Sequence, residues 1–509
     1  MKKIIFNEDC NHFLYTRQNG GLKTLYREDI EAFVLQYKDL GIESMMFDLG
    51  APLAWYHSRR ERSIIELYPE WRARGGKELP YVEMLIDFYN REGTDVQTVF
   101  FETARRAGLK PFISLRMCDV HEGYLDDSFL WSDFYREHKK KHSIVPHRTQ
   151  AGYFDYCLNY HFEEVRAHYL SMLEEALETF DAEGVELDFL REAYLFGYGK
   201  EHEGIPVMNA FVREVRARLD EAEKRWGHKL SLSVRLPATP EMALRFGLDF
   251  FDWVDAGLID RIAVSSRWAT TDTGMPIDLW KKILKGKNVR LAAGLEILLR
   301  GYDRTPVMPH SYETAIGTAV GYLSQGADEI YLFNFFDHYN GFSNFIYFGK
   351  DASLYHRFLT VAGDYEKAIL EPRRHVLSYN DMTAIGVASP HPLPVRLSAD
   401  RSVKGPFHSN ILYNRFRIVT GKIPEGRRVT VVLGFAQNTD YAIEDLTVYL
   451  NQKPCTYIGK QAPKPPQYDD YDYLVFEAEN DGALSDVLVV ELGFAHGEST
   501  LGWVEIEIP

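Results

Sequence analysis

The sequence predicts an α/β protein: a (β/α)8 TIM barrel over residues 1–372, followed by a C-terminal β-sandwich over 373–509. Three observations carry this reading. Eight short apolar runs follow one another up to about residue 365, separated by helix-like segments, which is the alternation of a parallel barrel. Several of those segments end in a glycine directly before the next run, the usual αβ connection. Beyond residue 373 the apolar period changes to two, the mark of half-buried strands. A chain of 509 residues also exceeds what one ordinary core supports, so two domains are expected.

The eight runs are "KKIIFNED" (2–9), "IESMMFDLG" (42–50), "KPFISLRMCDVH" (110–121), "GVELDFLRE" (184–192), "KLSLSVRLP" (229–237), "IDRIAVSSRW" (259–268), "VRLAAGLEI" (289–297) and "DEIYLFNFF" (328–336). The glycine connections are "YKDLGIE", "ARRAGLKP", "FDAEGVE" and "SQGADEI". In the fourth run Val185, Leu187 and Phe189 alternate with Glu186 and Asp188. That pattern suits a strand whose outer face packs on helices while its inner face lines a barrel. A doubly wound sheet would want a glycine-rich first turn, and "NEDCNHF" is not one. After "DASLYHRFLTVAGDYEKAIL" come "RFRIVTG", "RVTVVLGFA", "LTVYLN", "YLVFEAEN", "DVLVVELGF" and "WVEIEIP", short alternating strands of sandwich type. "PKPPQYDDYDY" between them reads as a loop.

The net charge of −16 speaks against a nucleic-acid partner, which needs a concentrated basic surface. It also disfavours an anionic substrate unless positive charge is gathered locally. Cys10, Cys118, Cys157 and Cys455 are scattered and form no CxxC, so neither a disulfide framework nor a thiolate zinc site is expected. The apolar start "MKKIIF" is cut off by Asn7, Glu8 and Asp9, too early for a signal peptide, and no stretch is long enough to span a bilayer. A cytoplasmic protein is the plain expectation, with no membrane partner. His138 and His142 are spaced i,i+4 as in zinc sites, but three lysines stand between them and a solvated helix face is the better reading. No phosphate-binding glycine loop, GxSxG elbow or HExxH motif is present.

If the runs are barrel strands, their C-terminal ends and following loops form the active site. Those positions hold Asp9, His12, Asp48, Arg116, His121, Asp188, Arg191, Glu192, Arg235, Arg267, Glu296, Asn334, Asp337 and His338. Four arginines ending four strands in an acidic protein point to an anion, since the guanidinium matches a carboxylate bidentately. The plainer reading of any single one is an ion pair with a neighbouring rim carboxylate. Two pairs could carry hydrolysis of a glycosidic bond. Glu192 (or Asp188) with Glu296 would serve as acid/base and nucleophile of a retaining enzyme, although "LREAY" lacks the asparagine usual before such a glutamate. Asp9 with His121 would serve as base and acid of an inverting one, histidine donating when protonated; the alternative is a loop-capping Asp9 and a loop histidine. The aromatic stretches "WSDFYREH" and "AYLFGYG" would line a leaving-group site or simply fill core.

"NED" on strand 1, "SLRMCDVH" on strand 3, "DFLRE" on strand 4 and "LFNFF" on strand 8 together resemble the inverting sialidases of glycoside hydrolase family 156, over nearly the whole chain. The resemblance implies a barrel followed by a β-sandwich and an exo-α-sialidase acting on terminal α-linked sialic acids with inversion, without metal or organic cofactor. It implies His121 as general acid and Asp9 as general base, Arg116 and Arg191 as the clamp on the sialic acid carboxylate, and Asn334 as a sugar contact. The expected partner is a sialoside glycan, and a homodimer is compatible with such a chain. The rivals are a retaining glycosidase on a neutral or uronic-acid sugar using Glu192 and Glu296, and a carbohydrate-binding protein on a decayed barrel. Tyr194 is the nearest candidate for a tyrosine nucleophile.

Overall fold

The computed structural model describes residues 3–9, 11–50, 52–144, 152–190, 192–268, 270–335, 348, 352–382, 391–398, 414–437, 442–482 and 484–509. Eight strands close into a barrel: β1 (Ile4–Glu8), β2 (Ile42–Asp48), β3 (Lys110–Arg116), β4 (Gly184–Asp188), β5 (Ser231–Pro237), β6 (Arg261–Ser265), β7 (Arg290–Glu296) and β8 (Glu329–Phe333). Every pairing is parallel, and β1 closes the ring by pairing with both β2 and β8, Phe6 lying opposite Met45 and Leu332. All eight strands fall within the apolar runs.

The alternation in β4 is resolved as its pattern demands. Val185 and Leu187 join the outer core with the surrounding helices, while Glu186 and Asp188 take part in the buried polar network inside the ring. Ile5, Met46, Phe112, Ala263, Ala292, Tyr331 and Phe333 fill the interior as one apolar cluster. Each end of the barrel is closed by a buried ion pair: Arg261 with Glu329 (2.9 Å) at the N-terminal end and Arg235 with Asp188 (2.8 Å) at the C-terminal end. Both guanidiniums also lie over aromatic rings, Arg261 over Phe112 and Arg235 over Phe333.

The glycine connections are real, but for two different reasons. Gly108 (φ 72°) and Gly326 (φ 101°) follow helices in the left-handed region that glycine tolerates best. Gly184 instead opens β4 where a Cβ would stand 2.2 Å from the Ser231 carbonyl oxygen, so close strand approach is what requires it. Between β2 and β3 the chain forms three helices rather than one, Ile64–Ala73, Pro80–Glu92 and Val96–Arg106.

The C-terminal region is two antiparallel sheets. One holds Arg373–Val376, Val395–Ser398, Val429–Ala436, Thr456–Gln461, Tyr471–Ala478 and Glu498–Ile508; the other holds Asn414–Val419, Leu446–Leu450, Lys453–Pro454 and Val487–Phe494. Val431, Leu433, Leu474 and Ile506 from the first meet Phe416, Val448, Leu488 and Val490 from the second in one core, which is a sandwich. The sandwich is seated closely on the barrel. A Cβ on Gly317, in the helix Tyr312–Ser324, would come within 2.1 Å of the Arg374 carbonyl oxygen. No helix among the described residues is long and apolar enough to cross a membrane.

Candidate active site

The C-terminal ends of β1, β2 and β3 meet around one guanidinium. Arg116 ends β3 and is 5% exposed, so its charge must be met within the protein. Its Nη2 lies 2.8 Å from Asp9 Oδ2, its Nε 3.0 Å from Asp48 Oδ2 and its Nη1 3.4 Å from Asp119 Oδ2. Asp9 is placed just beyond β1 by a tight exit, in which Glu8 accepts the Phe13 N–H (2.9 Å), and His12 Nε2 lies 3.4 Å from Asp9 Oδ2. Asp48 is fixed by accepting the Gly50 N–H (2.9 Å). Burial is the largest influence on Asp48 and pushes its carboxyl up to about 8 despite Arg116, with the charges of Asp9 and Asp119 adding to the rise. The direction is toward the neutral carboxyl, which leaves Arg116 to answer more to the charges of Asp9 and Asp119.

Asp119 connects this cluster to His121. Its Oδ1 accepts the His121 backbone N–H (3.0 Å) and pairs with the imidazole Nδ1, while Oδ2 faces Arg116. Burial alone would push Asp119 up, but the His121 imidazole and the Arg116 guanidinium outweigh it and hold the carboxyl well below the usual range. Asp9, Arg116, Asp119 and His121 thus form one chain of contacts, with the carboxylate and the imidazole at its two ends. The imidazole is 37% exposed, so it reaches solvent at the mouth. The loop beneath it is pinned. Trp131 Nε1 donates to the His121 carbonyl (3.2 Å), Lys139 Nζ sits 3.5 Å over the Trp131 ring, and the same ammonium donates to the Gly123 and Leu125 carbonyls (3.0 and 2.8 Å). Asp119 was not among the residues singled out from the sequence. The only signal for it is "DVH", a carboxylate two residues before the histidine.

The other rim residues divide into structural and candidate groups. Arg235 is fully buried and bidentate on Asp188 (2.8 and 2.9 Å), so it is a core residue rather than an anion ligand. Glu186 lies below that pair, accepting from Ser114 Oγ (3.0 Å) and Tyr331 Oη (2.7 Å), and burial pushes its carboxyl up to about 7. Arg267 is 3.9 Å from Asp381. The plainer reading of a rim arginine, an ion pair with a neighbouring carboxylate, therefore holds for Arg116, Arg235 and Arg267; Arg191, Asp337 and His338 lie outside the described residues. Glu296 ends β7 fully buried and accepts the Leu298 N–H on Oε2 (2.6 Å) and the Asn334 amide on Oε1 (3.2 Å). Asn334, at a positive φ of 51°, is turned toward it just after β8. Glu192 is buried near the end of β4. Burial pushes the Tyr194 phenol up to about 12, which disfavours the phenolate that a tyrosine nucleophile needs.

The described residues hold no group of three or more His, Cys, Asp or Glu arranged to hold a metal. His138 and His142 stack edge to face on the short helix Asp133–His138 and its exit, packed against Phe134 and Phe162. Cys118, Cys157 and Cys455 form no disulfide.

No family model and no curated protein sequence matches the chain. Solved structures that are similar to it include the PgaB (BpsB) glycoside hydrolase domain from Bordetella bronchiseptica, at 13% identity and a TM-score of 0.42 over 67% of this chain and 95% of that one. The endo-beta-1,4-mannanase from Thermotoga petrophila matches at 10% identity and a TM-score of 0.43 over 99% and 97% of the two chains. Alpha-L-fucosidase isoenzyme 2 from Paenibacillus thiaminolyticus matches at 13% identity and a TM-score of 0.42 over 72% and 49%.

Proposed function

We propose that the protein is a glycoside hydrolase, and specifically an inverting exo-α-sialidase that removes terminal α-linked sialic acids. The observation that carries the reading is the chain Asp9–Arg116–Asp119–His121, which ties a carboxylate and a carboxylate-backed imidazole to opposite sides of one guanidinium. Such a pair does what a single displacement needs. The imidazolium, with Nδ1 held by Asp119, donates the Nε2 proton to the departing glycosidic oxygen. Asp9 takes a proton from the water that attacks the anomeric carbon from the other face, and the aglycone leaves as an alcohol.

The charge balance supports an anionic sugar. Burial favours the neutral form of Asp48, which lowers the negative charge around Arg116 that a substrate carboxylate would meet. Arg116 is oriented by aspartates at all three of its nitrogens, so as a clamp it meets the substrate carboxylate by giving up one of these partners, Asp119 at 3.4 Å being the most distant. Arg191 and Asn334 complete the proposed set, as second clamp and sugar contact.

A second reading, a retaining glycosidase using Glu192 and Glu296, draws support from Glu296, whose two oxygens each accept an N–H as an ionised nucleophile would. A screen of the purified protein on aryl glycosides separates them. The proposal expects release from an aryl α-sialoside and none from neutral or uronic-acid glycosides; the reverse result overturns it.

A further inference from the structure

The loop leaving β6 is held by the C-terminal region as well as by the barrel, whose Glu296 carbonyl accepts from Thr271 Oγ1 (2.7 Å) and whose Tyr322 hydroxyl donates to the Asp272 carbonyl (2.7 Å). Asp381 lies in the segment that follows the sandwich strand Arg373–Val376 and has a side chain 7% exposed. Its Oδ1 accepts the Arg267 N–H (2.7 Å) and its Oδ2 the Trp268 N–H (2.6 Å), so one carboxylate sets two consecutive peptide planes. The same segment is laced to the rest of the loop: Ser378 Oγ donates to the Thr271 carbonyl (2.6 Å), and Thr273 Oγ1 donates to the Val376 carbonyl (2.7 Å). Ordering a backbone stretch costs conformational entropy, so a loop fixed by this many contacts from another unit is fixed in one particular conformation.

What is fixed there is a wall. The Trp268 side chain is 40% exposed, a large apolar ring facing solvent at the C-terminal end of a barrel strand. The Arg267 guanidinium lies 5.1 Å over the Phe154 ring, which comes from the same β3–β4 connection that carries His121, and 5.9 Å from the Trp268 ring. Phe154 in turn packs on Tyr194 (5.2 Å) beyond β4. The Arg267 Nε lies 3.9 Å from Asp381, so the carboxylate that accepts the two peptide N–H groups also faces the guanidinium and helps to orient it. An indole face beside a guanidinium matches a sugar ring that carries an anionic group: the ring's C–H face stacks on the indole and the anion meets the arginine.

We propose that Trp268 and Arg267 form a substrate-binding wall for an acidic sugar, and that Asp381 is the positioning residue through which the C-terminal region shapes it. This rests on the reading of the barrel mouth as a glycosidase site. The C-terminal region is then part of the active site, and removing its grip loosens binding while leaving the chemistry at Asp9 and His121 in place.

The test is steady-state kinetics of the full chain on an aryl α-sialoside, with hydrogen exchange of the peptide spanning residues 266–268. Asp381→Asn keeps the shape but puts an amide where two N–H groups need acceptors. It should speed exchange of the Arg267 and Trp268 amides and raise KM about tenfold, with kcat held within about threefold. Trp268→Ala, at an exposed side chain whose loss the fold tolerates, should raise KM by a similar factor. Unchanged exchange in Asp381→Asn, or an unchanged KM in Trp268→Ala, overturns the proposal. Should the wild type cleave a different acidic aryl glycoside instead, the sialidase reading fails by itself, and the same KM split measured on that glycoside decides this one; cleavage of neutral glycosides alone overturns both. A wild type that cleaves nothing overturns both.

Discussion

Replacing Asp119 by Asn leaves a side chain of the same size that still accepts the His121 backbone N–H but no longer carries the charge that faces the imidazole. At about 4 Å a full charge pair is worth ~1 kcal/mol in water and ~4 kcal/mol in a medium of effective dielectric 20. The imidazole is 37% exposed, so solvent screening brings the expected value toward the lower end, about 1–2 kcal/mol. That corresponds to about one pH unit. The direction follows from reciprocity: the same interaction that holds the Asp119 carboxyl low favours the protonated ring. The alkaline limb of the kcat/KM profile, where the acid loses its proton, should therefore move down by about one pH unit in Asp119→Asn. At pH 7 and above the rate should fall by about tenfold, because the neutral amide oxygen still meets Nδ1 but no longer favours the protonated ring. The assay is the pH–rate profile on an aryl sialoside from pH 4 to 9. An unmoved alkaline limb with normal kcat would refute the dyad, whatever the substrate.

Three further outcomes are expected. His121→Ala and Asp9→Ala should each lower turnover by about a hundredfold or more; His121→Ala should be partly spared on an aryl sialoside with a very acidic phenol while Asp9→Ala is not, and equal sparing would break the assignment of roles. Arg116→Lys should cost about 2–5 kcal/mol in kcat/KM, since a point charge cannot replace the planar fork, and it should also lower the melting temperature, because Asp9, Asp48 and Asp119 lose their shared partner. Glu186 is raised from 4.5 to about 7 by burial, so its contribution to stability is fully present below about 4.5 and is lost as pH rises through 7, and Asp48 acts in the same sense up to about 8. The melting temperature should thus fall from pH 5 to pH 8, and less steeply in Glu186→Gln; parallel curves for the two proteins would contradict this.

The barrel was legible because each strand is short, apolar and closed by a turn, and because β4 shows its two faces in its own alternation. Less legible was the β2–β3 connection, where three helices stand between strands that the sequence pattern joins simply. At the mouth, Asp9, Arg116 and His121 could be picked out by position at strand ends. Arg235 holds the same kind of position, yet its guanidinium is bidentate on Asp188, its register partner, and lies over the Phe333 ring, fully buried. Strand position alone cannot separate the two arginines, since Asp188 is the register neighbour of both and only the side-chain geometry decides which one it binds. Asp119 escaped for a related reason: that its carboxylate turns back onto the ring two residues on is a property of the loop's backbone path. Asp381 stands more than a hundred residues from the loop it shapes, and no local pattern could have joined them.

The account's central claim is that Asp9 activates water while His121 protonates the leaving oxygen in one displacement. The most direct measurement is proton NMR of the sugar ring in the opening minutes of hydrolysis of an α-sialoside, before mutarotation mixes the anomers. A single displacement yields the β-anomer first. The α-anomer appearing first would require two displacements, and would move catalysis from Asp9 and His121 to Glu192 and Glu296.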